Sequence, residues 1–193
     1  MNAVAGRIDP NAILRVAEAL QRRGRAEEVF RRAGLAHHLA VPPSTLVDEE
    51  DARRLHAALR STLGPHEAAQ VAREAGEATA AYLLAHRIPK PVQVLLRLLP
   101  APLATRVLMA AITRHAWTFT GSGEFEARPG RPVVLTIRRN PLCRGLASDT
   151  PACDYYAATF ERLFRVLVQR DSVVTETRCE ARGDRLCCFE IRW

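Results

Sequence analysis

The chain has 193 residues, 48% of them apolar and 25% charged, with a formal net charge of +7. That length and balance suit a globular protein with one real core, or a core domain carrying a helical extension. The positive surplus is almost all arginine, with Lys90 the only lysine, and it is spread along the chain without a compact basic block or an aromatic RNA-binding motif, so nucleic acid is not an expected partner.

The opening MNAVAGRIDPNAIL has no apolar run behind a basic start, so no secretory signal is expected and a cytoplasmic location is the default. In DPNAILRVAEALQRRG, Asp9 and Pro10 form a cap and first-turn pair, Ile13, Leu14, Val16 and Leu20 share a face, and Gly24 ends the helix. RAEEVFRRAG predicts a second short helix, followed by a loop, AVPPSTLV. VDEEDARRLHAALRSTLG predicts a third helix with acids in its first turn, and PHEAAQVAREAGEATAAYLLAHR a fourth, rich in alanine and so able to pack closely. The most apolar stretch, residues 92–112, is broken by Arg97, Pro100, Pro102 and Arg106. It therefore reads as two helical pieces joined near Pro-Ala-Pro, and no transmembrane segment is expected.

The period changes at Trp117. AWTFTGSGEFEARPG and RPVVLTIRRN alternate as a hairpin around RPGRP. The loop NPLCRGLASDTPA leads into CDYYAATFERLFRVLVQR, a helix with Tyr156, Phe160, Leu163, Phe164 and Leu167 near one side. VVTETRCEARGDRLCCFEIRW then closes the chain as a second hairpin. Helices followed by ββαββ imply an α+β fold with an antiparallel sheet and helices packed on it. The expected division is an N-terminal helical region, 1–64, and a second domain, 65–193.

Three of the five cysteines fall in that last hairpin. If it turns at Arg182-Gly183-Asp184, Cys179 and Cys187 lie opposite each other and can share one metal ion. Glu176 joins them only if a bulge or bend turns it to their face. Cys153, at the start of the preceding helix, supplies a fourth donor. The predicted set is Cys153, Glu176, Cys179 and Cys187, a closed tetrahedral site of the kind that holds structural zinc, with Arg178, Arg182 and Arg185 near enough to offset the excess negative charge. Cys143 and Cys188 fall outside it. The competing readings are cysteines buried for packing alone, or a Cys179–Cys187 disulfide, which a reducing compartment disfavours.

The segment from Cys153 to Trp193 resembles the end of a V4R (4-vinyl reductase) domain, in which a Cys, a helix and then E-x-x-C-x7-C on a hairpin bind a structural zinc. REAGEATAAYLLAHRIPKPVQVLLRLLP and AAITRHAWTFTGSGEF are similar to the bacteriochlorophyll-synthesis members of that family, and the likeness runs over roughly residues 65–193. The resemblance implies a twisted antiparallel sheet with helices on one side, as in a vesicle-tethering subunit, and commonly a homodimer. It also implies a chlorophyllide or Mg-porphyrin-type ligand and bacteriochlorophyll-pathway enzymes as partners.

The residues themselves show no strand–GxGxxG–helix unit, P-loop or GxSxG elbow. Three readings follow. One is a tetrapyrrole-binding carrier or auxiliary of 8-vinyl (old 4-vinyl) reduction. Another is the vinyl reductase itself, with a cofactor the sequence does not display. The third is a zinc-containing sensor of a smaller aromatic ligand. For a macrocycle the expected pocket lies between helices and sheet, lined by Trp117, Phe119, Phe125, Tyr155 and Tyr156. His115 would be the axial ligand, and Arg114 and Arg138 would pair with carboxylates. Plain core packing is the alternative for each aromatic. His37, His38, His56, His66 and His86 read as surface residues.

Overall fold

A computed structural model describes residues 6–193; the first five residues, part of the stretch read for a secretory signal, lie outside it. Two short strands, β1 (Arg7–Ile8) and β2 (Val47–Asp48), pair antiparallel and clasp three helices between them: α1 (Asn11–Gln21), α2 (Ala26–Arg32) and α3 (His37–Ala40). Asp9 serves α1 as the sequence predicts, accepting from the Asn11 backbone N–H at 2.9 Å. The clasp and α3 fall in and around a stretch whose Pro and Ser content predicts a plain loop.

Helix α4 runs from Glu49 to His86, with Asp48 capping it through the Glu50 N–H at 2.8 Å. The third and fourth predicted helices are its two limbs. They meet at Gly64, whose φ of 78° only glycine adopts without strain, and at Pro65, which has no N–H to continue the ladder. The expected division at residue 64 falls on this kink, while the buried core runs on across it.

Helices α5 (Lys90–Leu98) and α6 (Ala101–Arg114) follow, separated at Pro100. The strand expected from Trp117 starts later. Trp117–Thr120 is instead a helical turn, α7, because the Thr118 and Thr120 hydroxyls donate to the carbonyls of His115 (2.7 Å) and Ala116 (2.9 Å). Gly121 then turns the chain into β3 (Glu124–Arg128).

With β4 (Val133–Arg138), β5 (Val173–Arg178) and β6 (Cys187–Arg192), β3 forms an antiparallel sheet of order β3-β4-β6-β5. Helix α8 (Asp154–Leu167) covers one face, burying Tyr156, Phe160, Leu163, Phe164 and Leu167 against Leu135, Ile137, Phe189 and Ile191. Alternation puts Arg138 on the opposite face, register-paired with Glu124. The α+β class and its ββαββ order are as the sequence predicts. Helix α4 lies across α8 at close range. A Cβ on Gly76 would sit 2.2 Å from the Tyr155 carbonyl oxygen.

Candidate functional site

Four thiols converge where the β4–α8 loop meets the turn between β5 and β6. The sulfurs of Cys143, Cys153, Cys179 and Cys187 all lie within 4.8 Å of one another, and each residue is at most 1% exposed. Sγ–Sγ distances are 3.5 Å for Cys143–Cys187 and Cys153–Cys187, 3.8 Å for Cys153–Cys179 and 4.0 Å for Cys179–Cys187. Four thiolates at the usual zinc–sulfur length define a tetrahedron with edges of about 3.8 Å. The donor set therefore fits one tetrahedral dication, with no position left over for a substrate.

The sequence predicts three of these four. Cys153 stands at the N-terminus of α8. Cys179 follows β5 beyond a register shift between Glu176 and Arg178, the irregularity that the spacing demands. A one-turn 3₁₀ helix, Glu180–Arg182, and Gly183 close the turn, so Cys179 is not strand-paired with Cys187; the ladder instead sets Arg178 against Cys188.

The structure differs from expectation on the fourth donor. Cys143, expected outside the set, completes the group of sulfurs. Glu176 stands behind it, with one carboxylate oxygen accepting from the Cys153 backbone N–H at 2.9 Å and the other buried without a partner. Burial, then the adjacent Cys179, pushes the Glu176 carboxyl up to about 8, and burial pushes the Cys153 thiol up as well. A buried thiol cluster of this kind is costly to ionise unless a cation sits among the sulfurs.

Two residues that the sequence reading missed position Cys143. Asn140 is fully buried, and its side-chain amide reaches the sulfurs of Cys153 (3.2 Å) and Cys187 (3.3 Å). Its carbonyl oxygen accepts from the Leu142 N–H, forming the turn that carries Cys143 inward. Glu180 accepts from the backbone N–H groups of Arg139 and Asn140 at 2.7 and 2.8 Å, holding Arg139 at φ 51°. The Glu180 N–H in turn points at the Cys187 sulfur, 3.4 Å away. These N–H groups supply the positive ends expected of arginines; Arg178, Arg182 and Arg185 are exposed. The Asn-Pro turn signal before Cys143 is the one cue that was available.

The predicted ligand residues divide. Phe119, Phe125 and Tyr156 come together with Phe160 and Phe189, but they pack against one another, mostly edge to face, at centroid distances of 5.4–6.4 Å. The Tyr156 hydroxyl donates to the Phe119 carbonyl at 2.7 Å, and that of Tyr155 lies 2.8 Å from Thr79 Oγ1. Trp117 is 57% exposed and Arg138 is on the far face of the sheet.

Arg114 does line open space. A groove of about 490 Å³ runs between α6 and β3, bounded by Arg106, Met109, Thr113, Arg114, Ala127 and Pro129. A second hollow, beside His115, shares Arg114 and Ala110 with it. Ala127 faces the same side of β3 as Phe125.

A buried cluster of four thiols, where a loop, a helix N-terminus and a terminal hairpin meet, marks the C-terminal end of a small α+β domain. The family model of the V4R domain matches residues 133–193, the part that contains the whole knot. The bacteriochlorophyll synthase 23 kDa chain of Cereibacter sphaeroides is 47% identical over 98% of this chain and 92% of its own length. That of Rhodobacter capsulatus is 43% identical over 96% of this chain and 86% of its own. The protein belongs to this family of V4R-domain chains. In fold it is also similar to a solved structure from work on heme distortion in the H-NOX family, with 13% identity, coverage of 96% and 95% of the two chains, and a TM-score of 0.58.

Proposed function

We propose that the protein binds a chlorophyllide-type tetrapyrrole during bacteriochlorophyll synthesis and delivers it to the pathway's enzymes. The pathway is the one named in its 47% and 43% identical relatives. The observation that carries the finer reading is the α6–β3 groove. Its walls of Met109, Ala110 and Ala127 suit the apolar face of a macrocycle, and Arg106 and Arg114 stand at its edge as carboxylate partners. His115, exposed beside Arg114, is within the same surface for an axial contact with the pigment's metal. That a fold of this kind occurs in a heme-containing family supports the size of ligand.

The four-thiol knot is read as a structural zinc site, with Cys143, Cys153, Cys179 and Cys187 as ligands. A bound zinc would supply a cross-link and no redox chemistry. Asn140 and the Glu180 N–H stabilise charge on the sulfurs, and Glu176 orients the backbone of Cys153.

The test is titration with divinyl chlorophyllide followed by absorbance, with and without NADPH. The expected result is a shifted Soret band without conversion, and binding about tenfold weaker in an Arg106→Ala, Arg114→Ala variant. Absence of any shift counts against the reading. Loss of the divinyl spectrum dependent on NADPH and this protein alone would replace it with the reductase reading.

A further inference from the structure

Between Glu77 and Glu124 the chain has no acidic residue, yet it carries Arg87, Lys90, Arg97, Arg106 and Arg114. This stretch folds into α5, α6 and their Pro100 corner, and it wears much of its apolar surface outward. Helix α5 buries Gln93 and Leu96, and leaves Val94 and Leu95 54% and Leu98 78% exposed. Across the corner Leu103 is 47% exposed and Val107 41% exposed. The inner side of α5 is pinned by a polar residue, since the Gln93 amide donates to the carbonyls of Leu84 (2.5 Å) and Ile88 (2.8 Å). Arg97 Nε donates to the Val166 carbonyl at 3.1 Å and fixes α5 to the end of α8. The outward leucines thus sit on a braced element.

We infer that the α5–α6 corner docks the protein on an anionic phospholipid bilayer. Apolar side chains next to cations, with no acid among them, match the two layers such a surface offers. The acyl boundary takes Leu98 and Leu103, and the phosphate layer takes Lys90, Arg106 and Arg114, which are all exposed. Charge argues against a second copy as the occupant. A two-fold interface would set Arg97, Arg106 and Arg114 against their own copies, and the stretch from 78 to 123 supplies no carboxylate to pair with them. The mode is surface binding, because no helix among the described residues is long and apolar enough to cross a membrane.

The experiment is co-sedimentation of the full chain with pigment-free vesicles of phosphatidylcholine, with and without phosphatidylglycerol. The expected result is binding to the anionic vesicles that falls steeply as salt is raised, with little binding to pure phosphatidylcholine. A Leu98→Glu, Leu103→Glu variant, checked for unchanged thermal melting, should bind more than about tenfold more weakly. Equal binding by variant and wild type, or none by wild type to anionic vesicles, overturns the inference. So does a wild-type dimer that the variant splits in sedimentation equilibrium, which would give the surface to a second copy. The pigment reading stands or falls separately, because the variant keeps Arg106 and Arg114 and the vesicles carry no tetrapyrrole.

Discussion

At the scale of single residues, the thiol site turns on which side chain fills its fourth corner. Cys143 lies 3.5 Å from Cys187, whereas Glu176 is engaged by the Cys153 N–H. Cys143→Ser should therefore lower zinc affinity and melting temperature together. Glu176→Gln should keep full zinc stoichiometry and lose no more than about 1 kcal/mol of stability, since a glutamine oxygen can accept the same bond. Metal analysis and melting of the two variants decide it; zinc retained in the first and lost in the second would reverse the assignment. Asn140 is the other critical residue here. It is buried and donates to two sulfurs while accepting the turn bond from Leu142, so Asn140→Ala should cost about 2–3 kcal/mol by denaturant unfolding. A loss below about 0.5 kcal/mol would mean that its N–H groups face neutral thiols with little to gain.

At the scale of elements, the α4–α8 crossing sets how the helical layer seats on the sheet. Gly76 makes that crossing close, since an added Cβ would meet the Tyr155 carbonyl at 2.2 Å and the Ala158 Cβ at 3.0 Å. Gly76→Ala gains helix propensity but must push two helices apart, and the second effect should win by about 1–3 kcal/mol. A urea midpoint that falls with an unchanged slope would show it; a midpoint that rises would mean the helices part freely. Helices and strands of this kind were legible because their apolar residues recur at the helical or the strand period. The α4 kink was announced by Gly64-Pro65, and the β5 bulge by the spacing of Glu176 and Cys179. The turn at Trp117–Thr120 was not, because its threonines read as strand formers until their hydroxyls bond back to the carbonyls of His115 and Ala116, just ahead of the turn. Cys143 escaped for a related reason. Its place depends on contacts between Asn140, Glu180 and the far hairpin, which no local pattern records.

At the scale of the whole molecule, His56 couples three elements and makes stability depend on pH. It was expected on a polar helix face, yet it is 7% exposed, edge-on to the Tyr155 ring of α8 at 5.6 Å, with its Nε2 unpartnered. Burial brings its pKa from the ordinary 6.5 down to about 4, with the backbone at Ala12 of α1 opposing the shift and Arg60, one turn along α4, reinforcing it. The folded protein therefore holds this imidazole neutral where the unfolded chain would already be protonated. Its contribution is fully present above about pH 6.5 and is lost as pH falls toward 4, reaching about 3 kcal/mol in total. A zinc bound at the thiol knot would also be displaced by protons as pH falls through that window. The quantity to measure is accordingly the difference between wild type and His56→Phe in urea unfolding at a series of pH values. Wild type should lose stability more steeply than the variant between pH 6.5 and 4, and the two slopes should coincide above pH 7. Parallel curves throughout would mean that His56 is no harder to protonate in the folded protein than in the unfolded chain.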